Sequence, residues 1–300
     1  MKKVHYHLPG LFEFYELYRK FLNLFREHRE YFYDWCDIGS IYGAPYDCLW
    51  GGGRVGFGEE DPVKVLSLMR EYGISARLTF SNSLIREEHL SDKKCNMLCS
   101  LFEKDNGDSA GNGIIIYSDL LLDHIKNRYP GFYFVSSTTK VITEFEQLKA
   151  ELDRDDMRFV VPDFRLNKEF EKLNALSDHQ KQKVEFLCNE CCFWECFDRK
   201  RCYENVSRKS LGEDCEDHIC VSPNADEGYR FSNAMKNPGF ISVEDIQNKY
   251  APMGFTEFKL EGRSLGSAVV LEILLYYMTK PEHILSVREE IYLDSMLDLF

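Results

Sequence analysis

Strand-like and helix-like runs alternate from one end of the chain to the other, and this ordered alternation limits the fold more than any other feature. Strand patterns fall at residues 4–8, 35–39, 74–80, 113–117, 132–136, 159–162, 184–187 and 256–260. Helix patterns fall at 11–30, 62–72, 91–104, 120–129, 144–152, 168–176, 243–250 and 267–279. Several helix starts carry capping chemistry: Asp61 before Pro62, Thr143 with Glu146, and Ser242 with Asp245. Right-handed crossovers return each strand in the same direction, so the order implies a parallel α/β sheet. Eight units suffice to close a (β/α)8 TIM-like barrel, a fold that uses about 250 residues as one domain. The whole chain, residues 1–300, is therefore expected to be a single domain. A doubly wound open sheet is the competing arrangement, because periodicity does not report closure.

Only the connection after strand seven, residues 188–239, breaks the rhythm of short loops. A loop of that length inside a compact domain needs a function or an internal staple. Around it, period-two alternation places Glu185 and Asn189 on one face of strand seven, and Lys259, Glu261 and Arg263 on one face of strand eight. If that face is interior, Glu185, Lys259 and Glu261 are candidates for proton transfer, and Asn189 and Arg263 for holding a substrate. An ion-pair network that merely braces the barrel would use the same residues, and Glu190 carries the same ambiguity. The run Gly51-Gly52-Gly53-Arg54 lacks the Gly-Lys-Ser/Thr of a phosphate loop and reads as a loop over the barrel mouth. HExxH does not occur.

Charge narrows the partners. A net charge of -13 repels polyanions, which favours a small-molecule substrate over nucleic acid. The first ten residues interleave His5, His7 and Pro9 with apolar positions, unlike an export signal, and no apolar run approaches the roughly 20 residues of a membrane span. A cytoplasmic location without membrane attachment is the expectation.

Seven of the eleven cysteines crowd into the long connection: Cys188, Cys191, Cys192, Cys196, Cys202, Cys215 and Cys220. In a reducing compartment such crowding points to a soft metal, either Cys₄ zinc or an iron-sulfur cluster. The two-residue spacing of Cys188 and Cys191, with Cys215 and Cys220, suits zinc.

The run Val184-Glu185-Phe186-Leu187-Cys188-Asn189-Glu190-Cys191-Cys192, followed by Cys196 and Arg199, resembles the signature segment of the collagenase-like U32 peptidase family. Residues 240–246 and 258–263 are similar to the family's closing helix and last strand. The resemblance implies a barrel in which four cysteines hold a 4Fe-4S cluster. Cys192 and Cys196 match the first two ligands, Cys220 is the third, and Cys95 is ranked ahead of Cys215 as the fourth. It further implies oxygen-independent hydroxylation of a small or nucleobase-like substrate, with an electron donor or partner protein, in place of peptidase activity. The chain departs from the family pattern at Cys196-Phe197, where relatives often have Cys-Pro, and at Cys202, where they have a histidine. The competing class is a non-catalytic binding or scaffold protein stapled by structural zinc or a cluster.

Overall fold

Eight parallel strands follow one another in the spatial order β6-β5-β4-β3-β2-β1-β8-β7. They are β1 Val4–Pro9, β2 Cys36–Gly43, β3 Ser75–Phe80, β4 Gly113–Ile116, β5 Tyr133–Ser136, β6 Phe159–Val160, β7 Glu185–Leu187 and β8 Glu257–Lys259. A parallel bridge from Val160 to Val184 brings the two ends of this sheet together, so the strands form a nearly closed (β/α)8 barrel. The computed structural model describes residues 3–54, 57–58, 60–104, 111–223 and 225–296.

The helices are α1 Tyr15–Glu27, α2 Pro62–Tyr72, α3 Lys93–Lys104, α4 Asp119–Arg128, α5 Phe145–Leu152, α6 Phe170–Asn174, α7 Asp178–Lys183, α8 Arg199–Ser210, α9 Phe231–Ala234, α10 Val243–Asp245, α11 Ser267–Met278 and α12 Ile284–Met296. Capping sets several starts as expected. The Asp61 carboxylate accepts from Val63 N, and Ser242 and Asp245 form a reciprocal capping box. Thr143 does not cap α5, which begins one residue later behind Glu144. The long connection is also more structured than its sequence suggested, because it contains α8. That helix is anchored over the end of β3, where Ser207 Oγ accepts from Ser83 N at 3.2 Å. The connection then closes on its own start, with Ile241 N donating to Cys188 O at 3.0 Å.

The weak seam between β6 and β7 has a local cause. Pro162 follows β6 and has no N–H to give to a ladder. Asn167 replaces the missing ladder with its side chain, its Nδ2 donating to Leu187 O at 2.9 Å and to Gly239 O at 2.8 Å.

Alternation divides the strand residues into two cores. Outward-facing residues such as Tyr6, Leu78, Ile114 and Phe186 pack beneath the helices. Inward-facing Tyr42, Ile115, Val135, Phe159, Val161 and Leu187 form a separate cluster in the barrel interior. Glu185 and Lys259 share the parity of Leu187 and so face inward, as the alternation predicted.

Candidate active site

Two glycines make room for polar side chains inside the barrel. Gly39 sits where the β1–β2 register shifts; a Cβ there would lie 2.7 Å from His7 Cε1 and 3.0 Å from His5 Cβ. Without it, the His7 ring occupies the interior, its Nε2–H donating to Glu257 Oε2 at 2.9 Å while Nδ1 accepts from the Ser40 hydroxyl at 2.8 Å. Ionised carboxylates only accept, which selects this tautomer. A Cβ on Gly113 would come within 2.4 Å of the Tyr133 ring, so glycine lets that ring lie against β4. The Tyr133 hydroxyl then accepts from Arg77 Nε at 2.8 Å.

Glu185 is the hub of this column. It accepts from Arg77 Nη1 at 2.5 Å and from Lys259 Nζ at 3.2 Å, and His7 Nε2 stands 3.5 Å away. Burial alone would push its carboxyl up, but Arg77, His7 and Lys259 together hold it at about 2. Burial, with Arg77 and Arg263 nearby, lowers Lys259 to about 8 against the pull of Glu185. The Lys259 ammonium also lies 3.6 Å from the Tyr42 ring centroid. The structure thus brings two of the expected proton-transfer residues together, yet Glu185 is fully buried and committed to several cations. Such an arrangement is also that of an ion-pair network bracing the barrel.

The mouth is built differently. Asn189, expected to hold substrate, is occupied with backbone: its Oδ1 accepts from Glu261 N at 2.7 Å and its Nδ2 donates to Glu261 O at 3.0 Å. It therefore positions Glu261. The Glu261 carboxyl meets Arg54 Nη2 at 3.4 Å through Oε1, while its buried Oε2 finds no donor. The Glu190 carboxyl stands within hydrogen-bonding reach of it. Burial first, and then the Glu190 charge, raises Glu261 to about 7; Glu190 is held low, against its own burial, by Arg199. Two carboxyls this close titrate as a pair, and one proton between them supplies the donor that Glu261 Oε2 lacks.

Arginines surround the pair. Arg199, the first residue of α8, is ion-paired with Glu190 and lies 4.8 Å over the Phe164 ring. Its Nε faces the Asp163 carboxylate at 3.6 Å, while its Nη1 is buried without a hydrogen-bond partner, as is Nη1 of Arg263. Arg54 lies 4.5 Å over the Tyr203 ring. Neither Arg54 nor Arg199 was singled out from sequence as a site residue: Arg54 closes a glycine run, and Arg199 lies well past the end of β7.

Cys95, the expected fourth ligand, has its sulfur 3.4 Å from that of Cys48. Cys188 is fully buried in the core beneath the helices, whereas Cys220 is exposed. A different group assembles in the connection. The charge of Cys196 opposes ionisation of both Cys192 and Cys202, and Cys220 also acts on Cys202; burial, the larger influence, raises Cys192 to about 12. These donors have the chemistry for a soft metal. Among the described residues, however, no three His, Cys, Asp or Glu side chains are arranged to hold a metal ion, so the thiols as placed do not form a finished centre.

No family model and no curated protein matches the chain. Among solved structures, the U32 peptidase Mk0906 superimposes with a TM-score of 0.50 at 15% identity, over 87% of this chain and 93% of that one. The Bacillus cereus spore cortex-lytic enzyme SleL aligns with a TM-score of 0.42 at 10% identity, over 90% of this chain and 74% of that one. The chain therefore has a U32-like barrel fold. Among the described residues no helix is long and apolar enough to cross a membrane.

Proposed function

We propose that the mouth of this U32-like barrel is the active site of an enzyme that performs general acid–base chemistry on a small anionic substrate. The observation that carries this reading is the Glu190–Glu261 pair, with one carboxyl raised to about 7, among three arginines of which two keep unpartnered N–H groups. A proton held near neutral pH suits transfer in either direction. Glu261 serves as the acid, Glu190 as the base, and Arg54, Arg199 and Arg263 receive the substrate's carboxylate or phosphate. Difference infrared titration of the wild type and of Glu261→Gln tests the assignment. The wild type should show a protonated-carboxyl band lost at a pH of about 7 and missing from the variant. A wild-type spectrum without such a band would remove the acid–base assignment.

A second reading has its own support in the grouping of Cys192, Cys196, Cys202 and Cys220. In that reading the connection holds a 4Fe-4S cluster, or zinc, with Cys202 replacing Cys95 as fourth ligand. A cluster would supply the electron transfer needed for the oxygen-independent hydroxylation that the U32 resemblance implies; zinc would serve as a staple. Anaerobic purification followed by iron, sulfide and zinc analysis separates these cases. Full metal loading in a Cys192→Ser, Cys196→Ser double variant would end the reading.

A further inference from the structure

A cavity of about 640 Å³ opens at the opposite, N-terminal end of the barrel. Its walls come from the starts of the strands, including His5, Ser75, Tyr133 and Glu257, and from the end of α1 and its neighbour α2. The volume lies within the range of small-molecule sites, about 300–1,000 Å³. Barrel enzymes place their chemistry at the other face, so the mouth does not account for this cavity.

Its charges are unevenly satisfied. Each carboxylate in the lining already has a partner: Asp37 meets Lys3 at 3.4 Å, Glu71 meets Arg26 at 3.6 Å, and Glu257 accepts from His5 at 3.0 Å and His7 at 2.9 Å. Arg29 is different. Its Nη2 donates to Tyr33 O at 2.9 Å and Cys36 O at 2.6 Å, which leaves Nη1 buried with no hydrogen-bond partner. Among the described residues Arg29 has no carboxylate partner, and a guanidinium in the wall of an open cavity with its charge unneutralised is matched by an incoming anion.

The walls also specify a shape. Arg29 lies 4.6 Å over the Phe25 ring, Arg26 lies 4.5 Å over Tyr72, and Arg158 lies 4.6 Å over Tyr133. These pairs present flat, cation-backed surfaces around one space, an environment that takes a planar ring. We propose that the N-terminal cavity is a binding site for a small aromatic anion, whose carboxylate or phosphate is taken by Arg29 and whose ring lies among Phe25, Tyr72 and Tyr133.

Calorimetry with phenyl phosphate, inorganic phosphate and benzyl alcohol tests this, with the His5 imidazole resonances followed by NMR to locate the ligand. Phenyl phosphate should bind saturably, at least about tenfold more tightly than either fragment, because charge and ring contacts are used together. Binding should shift the His5 resonances, and both Arg29→Met and Arg158→Glu should weaken it at least about tenfold. Arg158 is exposed, so its reversal separates loss of binding from loss of folding. Arg54→Gln, at the mouth, should leave the affinity unchanged. The proposal is overturned if phenyl phosphate does not bind, if it binds no better than inorganic phosphate, or if its binding survives Arg158→Glu. Dependence on Arg54 would likewise assign the ligand to the mouth and overturn it.

Discussion

Replacing Glu185 with glutamine should destabilise the barrel far more than a change of one oxygen to nitrogen would suggest. The side chain is fully buried and accepts from Arg77 at 2.5 Å and Lys259 at 3.2 Å, so the substitution leaves two interior cations without their counter-ion. Removing one partner of a buried pair costs about 3–5 kcal/mol, most of it the exposure of the remaining charge to a low dielectric. The protonation equilibrium gives a similar size. A carboxyl held at about 2 in place of 4.5 contributes about 3 kcal/mol at neutral pH, at about 1.4 kcal/mol per tenfold. Because the folded-state value is depressed, this stability is complete above the unfolded value of 4.5 and is lost as pH falls through about 2. Equilibrium urea unfolding at neutral pH measures it directly. The double variant Glu185→Gln, Lys259→Met should recover part of the loss, because neutralising a cation removes part of the unpaired charge. A single-variant cost below about 1 kcal/mol, or strictly additive effects in the double variant, would refute the view that Glu185 holds the column together.

Three further outcomes follow from the same geometry. Gly39→Ala should cost about 1–3 kcal/mol, since its Cβ would stand 2.7 Å from His7 Cε1, and should displace the His7 resonances; unfolding at the wild-type midpoint would contradict the close approach. Lys259 should add a pH dependence. Its ammonium is lowered to about 8 from 10.5, the unfolded chain binds more protons between those values, and stability should rise by up to about 3 kcal/mol across that window relative to Lys259→Met. Asn189→Ala removes the clamp on the Glu261 backbone and should shift the infrared titration of the mouth carboxyl pair, whereas an unchanged titration would show that Asn189 does not position Glu261.

The sequence announced the barrel because strand periodicity is a local property. Glu185, Leu187 and Asn189 declare one face by spacing alone, and the structure places Glu185 and Leu187 inside. Partnership is not local. Arg77 meets Glu185 across 108 positions, and it does so only once the strands curl into a closed ring. The Arg77 and His7 that engage Glu185 from other strands could not be read from the spacing that made Glu185 and Lys259 candidates for proton transfer. The reverse holds at the mouth. Glu190 follows Asn189 and has the opposite strand parity, so alternation directs it away from the interior set. Past the end of β7, however, the chain leaves extended geometry, and Arg199 at the start of α8 draws the carboxyl back toward Glu261. Cys95 illustrates the same limit, because a helix position beside a strand end is compatible with either side of the β2 connection. The packing of Cys48 against it decides which. Inside this barrel the buried charges find partners on several strands, whereas the acid–base and anion-binding role we propose rests on the Glu190–Glu261 pair at the mouth and the unpartnered N–H groups of Arg199 and Arg263.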